Sequence, residues 1–326
     1  MTSSTQVLGI SNAVVDILAH VDEELLNEID APKGSMTLID QERASAIYAR
    51  MGPATEMSGG SVANTIAGVA NLAGRAAYIG NVADDQLGHI FIHDMKSLGV
   101  DVRLPPARDG SPTARSYVLI TPDSQRTMQT YLGACVELSA ESVNEDTVGH
   151  PEVILLEGYI WDPPSARDAG MKAMRLAKGT GSTVALTLSD AMLVDRHREA
   201  FRGVIAEDVK IVIANEQEII SLFEAESLED ALRQASNLDC LFVVTRSEKG
   251  SVILRGTENV TQEAFPVERL VDTTGAGDAY SAGFLFGLVS GKSLQDCAKL
   301  GSYCASAVIQ QIGARLETDA LKSLPI

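Results

Sequence analysis

The sequence predicts an α/β protein: a parallel sheet with helices on both faces, and a small antiparallel sheet inserted into it. Three observations carry that prediction. Short apolar runs alternate with amphipathic helical stretches over most of the chain, the pattern of a parallel sheet. Between Val102 and Leu132 this alternation gives way to short strand patterns separated by turn clusters at Pro105-Pro106, Asp109-Gly110 and Pro122-Asp123, the signal of antiparallel strands. Finally, the stretch from Val271 to Tyr280, VDTTGAGDAY, joins the end of an apolar run to a helical pattern over Ala279 to Leu288. The glycine-rich joint sets a helix start, with its free N–H groups and positive dipole end, where an anion can approach the backbone. Asp278 stands in the first turn of that helix, either to favour the dipole or to take a proton from a hydroxyl that attacks a bound phosphate.

Whole-chain properties narrow the function. At 326 residues with a formal charge of −18, the chain can bury a large core but offers no basic face, which argues against a nucleic-acid partner. Cys135, Cys240, Cys297 and Cys304 show no C-x-x-C spacing, so a reducing compartment is expected, with Cys297 and Cys304 as core residues. No signal-peptide pattern and no membrane-spanning run is evident, and a cytoplasmic protein is expected.

Taken in order, Gln6 to Asp16 reads as one strand holding two polar residues, Asn12 and Asp16. Both are poor strand formers, and the turn is favoured over a ligand-facing role. Gly59-Gly60 leads through Ser61 and Asn64 into a helical pattern, and serves equally well as a tight turn or as a close approach to a ligand. Neither G-x-G-x-x-G nor a P-loop occurs. A strand over Ala76 to Val82 and a helix over Gln86 to Leu98 follow; His89 and His93 share a face of that helix but lack a third ligand, so they read as solvated histidines. Beyond Pro151, strands are expected at Val153 to Tyr159, Val184 to Leu188, Val209 to Ala214 and Leu241 to Thr245, with helices at Ala166 to Ala177 and Ser227 to Ala235. Ligands bind at the carboxyl ends of such strands. There Asn215 and Glu218 form either a helix cap or a pair that orients waters around a magnesium–nucleotide complex.

These motifs together resemble the two signatures of the ribokinase, or PfkB carbohydrate kinase, family: Gly59-Gly60 with Asn64 early, and Asp272-Thr273-Thr274-Gly275-Ala276-Gly277-Asp278 late, with N-x-x-E at Asn215 and Glu218. Within the family the resemblance is greatest to the adenosine kinase branch, through Asn12-Ala13-Val14-Val15-Asp16, Gly59 to Asn64, Arg126, and the run from Leu288 to Gly313. The resemblance implies a three-layer α/β/α Rossmann-like sandwich of the ribokinase type. It forms one domain over 1–326, with a small β-sheet lid built from about 16–40 and 102–132. It also implies ATP as donor, Mg²⁺, and often an activating monovalent cation such as K⁺. Carried over, Asp278 is the base, Gly275, Ala276 and Gly277 form the anion hole, and Arg126 clamps the transferred phosphate. Asn12, Asp16, Gly59, Gly60 and Asn64 bind substrate hydroxyls. Asn215, Glu218, Thr245 and Gly250 serve ATP and magnesium, and Asp272 and Thr274 match monovalent-cation positions. The family's T-x-G-x-x-G appears as Thr245 to Gly250 with Ser247 where the first glycine is usual. The expected acceptor is a small molecule, either a nucleoside, with adenosine first, or a sugar or sugar acid such as ribose, fructose or 2-keto-3-deoxygluconate. Met128, Thr130, Tyr159 and Met192 are candidates for apolar contact with a base. Monomer and homodimer both stay open.

Overall fold

A computed structural model describes residues 4–123 and 125–316. Its larger sheet has nine strands in the order Glu258–Gln262, Ser251–Arg255, Leu241–Thr245, Ile211–Asn215, Thr183–Thr187, Val153–Glu157, Val7–Ile10, Ala76–Ile79 and Asp101–Val102. From Leu241–Thr245 to Asp101–Val102 the pairing is parallel; the hairpin Ser251–Arg255 and Glu258–Gln262, absent from the sequence reading, closes one edge antiparallel. The central strands are apolar at consecutive positions because both faces are covered. Val153, Leu155, Ile211 and Ile213 enter one core with the helices Ser61–Asn71, Gln86–Ser97 and Ala276–Val289. Their neighbours Ile154, Leu156 and Val212 enter a second core with Pro164–Thr180, Ala191–Glu207 and Leu228–Ala235. This is the expected three-layer α/β/α sandwich. Cys297 and Cys304 are fully buried, as their helical spacing requires.

The small sheet has the order Met36–Leu38, Arg126–Tyr131, Ala114–Ile120, Val14–His20 and Thr55–Gly59. It departs from the sequence reading in three ways. It is mixed rather than antiparallel, since Val14–His20 runs parallel to Ala114–Ile120 and Met36–Leu38 parallel to Arg126–Tyr131. It includes Thr55–Gly59, whose TEMSG sequence lacks the β-branched alternation that marks a strand. And Asp101–Val102 lies in the large sheet, beside Ala77 and Tyr78.

The first predicted strand is two. Val7–Ile10 belongs to the large sheet and Val14–His20 to the small one, with Ser11, Asn12 and Ala13 crossing between them. Asp16 therefore sits inside a strand, paired with Met57 and Ser116, not at a turn. Alternation then decides what each residue faces. Val15, Ile17, Ala19, Tyr117 and Leu119 point into the core beneath the helices Glu23–Glu28 and Gln41–Tyr48, so Asp16 points the other way.

Candidate active site

The site lies at the carboxyl ends of the central strands, where the crossing segment, two helix starts and one face of the small sheet converge. Gly60, at φ +96°, starts the helix Ser61–Asn71, a conformation that a side chain resists. Gly275, at φ +75°, starts Ala276–Val289, and a Cβ there would fall 2.5 Å from the Cβ of Ala314. Being glycines, neither N-cap residue offers a side chain to its own helix start. Ala276 N donates to Thr273 O at 3.2 Å, whereas a Cβ on Gly277 would meet nothing within 4 Å, so the backbone at Gly277, beside Asp278, fronts open space, the condition for binding an anion.

Asp278 is held from the other helix. Ser61 Oγ donates to its Oδ1 at 2.7 Å and Asn64 Nδ2 to its Oδ2 at 3.0 Å, while Thr65 Oγ1 donates to its backbone carbonyl at 3.2 Å. Burial raises its pKa above the ordinary carboxylate value, and the Ser61 and Asn64 hydrogen bonds and the charge of Arg315 oppose that rise. Asp16 is pushed up to about 6, chiefly by burial, with Arg315 and Arg126 opposing and Asp278 adding. Gly59 is small for a steric reason: a Cβ there would lie 2.3 Å from Asp16 Oδ2. The amide oxygens of Asn12 and Asn64 are buried without a hydrogen-bond partner. Such orphaned acceptors are costly unless a ligand donates to them. Asn12, Asp16, Asn64 and Asp278 thus form one polar wall.

Two charged residues of this wall were not found from sequence. Glu157, 2% exposed, closes the central strand Val153–Glu157 and accepts from Val62 N at 3.1 Å. Burial, with Asp278 adding, carries its pKa up to about 7. An acid ending an otherwise apolar strand was the available signal. Arg315, beyond the helix Leu294–Val308, faces Asp16 and Asp278, and burial lowers its pKa to about 10; nothing in its sequence context marks it.

The remaining predicted residues are placed as follows. Arg126 shares a face of the small sheet with Asp16, and its Nη2 lies 2.5 Å from Asp272 Oδ2. Asp272 also accepts from Gly313 N at 2.9 Å and from Thr274 N at 3.0 Å. A guanidinium thus meets the charge of Asp272, one of the two positions that the resemblance gave to a monovalent cation. Asn215 and Glu218 form a capping box: Asn215 Oδ1 accepts from Glu218 N at 2.9 Å, and Glu218 accepts from Asn215 N at 3.0 Å and Asn215 Nδ2 at 2.7 Å. Burial raises Glu218 to about 7. Thr245 Oγ1 donates to Ala214 O at 3.4 Å. Gly250, at φ +82°, has a backbone reason of its own, because a Cβ would meet Gln262 O at 1.9 Å. Ser247 keeps the left-handed conformation, φ +52°, that the family's glycine would hold without cost. Of the base-contact candidates, Met128 and Thr130 lie on the Asp16 face, whereas Tyr159 and Met192 lie beyond the strands Val153–Glu157 and Thr183–Thr187. His89 bonds to Asp84 at 2.8 Å. Among the described residues no three His, Cys, Asp or Glu side chains come together to hold a metal, and no helix is long and apolar enough to cross a membrane.

A Rossmann-like sandwich, an uncapped helix start and a carboxylate beside it define a phosphotransferase that uses an alcohol as acceptor. The sequence matches the pfkB family of carbohydrate kinases over residues 36–321, and the chain belongs to that family. It is similar to the solved structure of an adenosine kinase from Sinorhizobium meliloti, at 50% identity and TM-score 0.90 over 98% of this chain and 99% of that one. It is equally similar to a probable sugar kinase from Rhizobium etli CFN 42, at 47% identity and TM-score 0.91 over 99% and 98%. A curated relative, the 5-dehydro-2-deoxygluconokinase of Halalkalibacterium halodurans, is 28% identical over 82% of each chain. These likenesses agree on the kinase and differ on the acceptor.

Proposed function

We propose that the chain is a nucleoside kinase that transfers the γ-phosphate of ATP to the 5′-hydroxyl of adenosine. The observation that carries this reading is the face of the small sheet that bears Asp16. Register places Leu38, Thr130, Ser116, Asp16 and Met57 in one cross-strand row, and Met36, Met128, Val118, Leu18 and Thr55 in the next. Residues directly opposite share a face, so an apolar surface lies beside the hydroxyl-binding wall. Met36 and Leu38 remain 50% and 57% exposed on it. A ribose joined to a flat base covers such a surface, whereas a free sugar leaves it wet.

In the mechanism, Asp16 and the unpaired oxygens of Asn12 and Asn64 accept hydrogen bonds from ribose hydroxyls. Asp278 takes the proton of the attacking hydroxyl, and the N–H groups of Gly275 and Gly277 stabilise the phosphate oxygens. Arg126 exchanges Asp272 for the transferred phosphate. The small sheet then acts as a lid that excludes water from the transfer. Lacking a cage of protein ligands, the site suits a magnesium ion that arrives on the nucleotide with its own waters, with Asn215 and Glu218 beside it; when bound, it neutralises phosphate charge. Met36→Ser combined with Leu38→Ser tests the apolar face. KM for adenosine rises about 10-fold or more, as expected for losing two apolar contacts, while turnover of ribose is unaffected. An unchanged KM for adenosine contradicts the reading.

A further inference from the structure

We propose that Arg315 is a positioning residue for phosphoryl transfer: its guanidinium pins the turn that delivers Ser61 and Asn64 to Asp278, and it supplies the positive charge that Asp16 and Asp278 face. This rests on the assignment of Asp278 as base. Arg315 Nε and Nη2 donate to Ser58 O at 3.2 and 2.9 Å, Nη2 also to Ser58 Oγ at 2.9 Å, and Nη1 to Ala63 O at 2.8 Å. These acceptors bracket Gly59, Gly60 and Ser61. Ser61, which donates to Asp278, therefore lies on a backbone that the guanidinium clamps on both sides, and Asn64, the second donor, directly follows the clamped Ala63.

The segment carrying Arg315 is itself fixed at the site. Gly313 N donates to Asp272, Ala314 packs where Gly275 lacks a Cβ, and Asn71 Nδ2 donates to Leu316 O at 2.8 Å. All the direct partners of the guanidinium are neutral oxygens and the Met95 sulfur, with no carboxylate within 4.0 Å among the described residues. A buried cation without an ion pair is costly. The acids that its charge reaches are Asp16, Asp278 and Asp94, and Tyr78 lies near it as well. Asp94 spends Oδ2 on Ser58 N at 2.9 Å, behind the turn, which leaves the two site carboxylates as those that face the substrate space. Glu157 adds negative charge toward Asp278, and Arg126 adds positive charge toward Asp16. With acids crowded on one wall, Arg315 favours the ionised form that a base needs.

The test is the pH profile of kcat/KM for the wild type, Arg315→Met and Arg315→Lys. Removing the charge raises the pKa of Asp278, so the acid limb for Arg315→Met moves to higher pH by about one unit, the scale of a nearby opposite charge. On the acid side of both limbs the rate then falls about 10-fold more than on the alkaline plateau. Arg315→Lys keeps the charge but not the fork, so its acid limb stays at the wild-type position while kcat falls. A residue that only ties down the chain terminus gives an equal loss at every pH, and an unmoved limb in Arg315→Met overturns the proposal. Should Arg315→Met fail to fold, a displaced limb in Arg315→Lys overturns it instead. The comparison uses whichever acceptor the wild type turns over, so an error about adenosine leaves it intact. An Asp278→Asn enzyme with normal turnover removes the base assignment separately.

Discussion

Glu157→Gln should make the free enzyme more stable at alkaline pH. The carboxyl is buried at the foot of the site, and burial lifts its pKa from 4.5 to about 7. A raised folded-state pKa means that the native protein binds the proton more tightly than the unfolded chain does. The stability this contributes is full below about pH 4.5 and is lost as pH rises through 7. At about 1.4 kcal/mol per pH unit the whole effect is about 3 kcal/mol. Glutamine keeps an acceptor for Val62 N but cannot ionise. The difference in unfolding free energy between variant and wild type, from urea melts of the free enzyme, should therefore grow in the variant's favour by about 2–3 kcal/mol between pH 5 and pH 8.5. Any fixed cost of fitting the amide beside Ser11 and Asn12 cancels in that comparison. A difference that stays constant with pH would refute the reasoning, because Glu157 would then not be titrating in this range.

Two other outcomes follow from the site. Asp278→Asn should bind nucleoside, since Asp16, Asn12 and Asn64 remain, but turn over at least about 100-fold slower, the usual scale for a lost general base; steady-state kinetics with adenosine and ATP checks this, and near-normal turnover contradicts it. Ser247 holds a left-handed backbone at φ +52°. Ser247→Gly should gain about 0.5 kcal/mol, the relieved strain less the entropy of glycine, and Ser247→Val should lose about 1–2 kcal/mol. Urea melts measure both, and equal stability of the two variants would show that the strain is absent.

The late motif was legible because its chemistry is local: two glycines and an acid within one helix turn announce an anion site, and the structure puts Asp278 in that first turn. The parallel sheet was legible from runs such as Val153 to Leu156, which are apolar on both faces. Other features depend on distant partners. Asp16 read as a turn residue because aspartate disfavours strands; the reason it sits in one is Gly59, on the neighbouring strand, whose missing Cβ makes room for the carboxylate. Thr55–Gly59 escaped notice because its place in the sheet comes from pairing with Val14–His20 and not from its own propensity. The pairing of Arg126 with Asp272 joins the small sheet to the loop before the helix Ala276–Val289, and no spacing rule relates the residues. Asn215 and Glu218 carried two readings in sequence, and the hydrogen bonds show the capping box. Arg315 is one cation in an ordinary terminal segment until the fold places it beside two acids.

The most direct measurement is ATP-dependent phosphorylation of adenosine, ribose and 5-dehydro-2-deoxygluconate by the same preparation, compared as kcat/KM. The account predicts that adenosine is preferred by at least about 100-fold over either sugar, from the apolar area that the base covers on the Leu38 face. A preference for 5-dehydro-2-deoxygluconate or ribose would contradict it and would assign the site to a sugar.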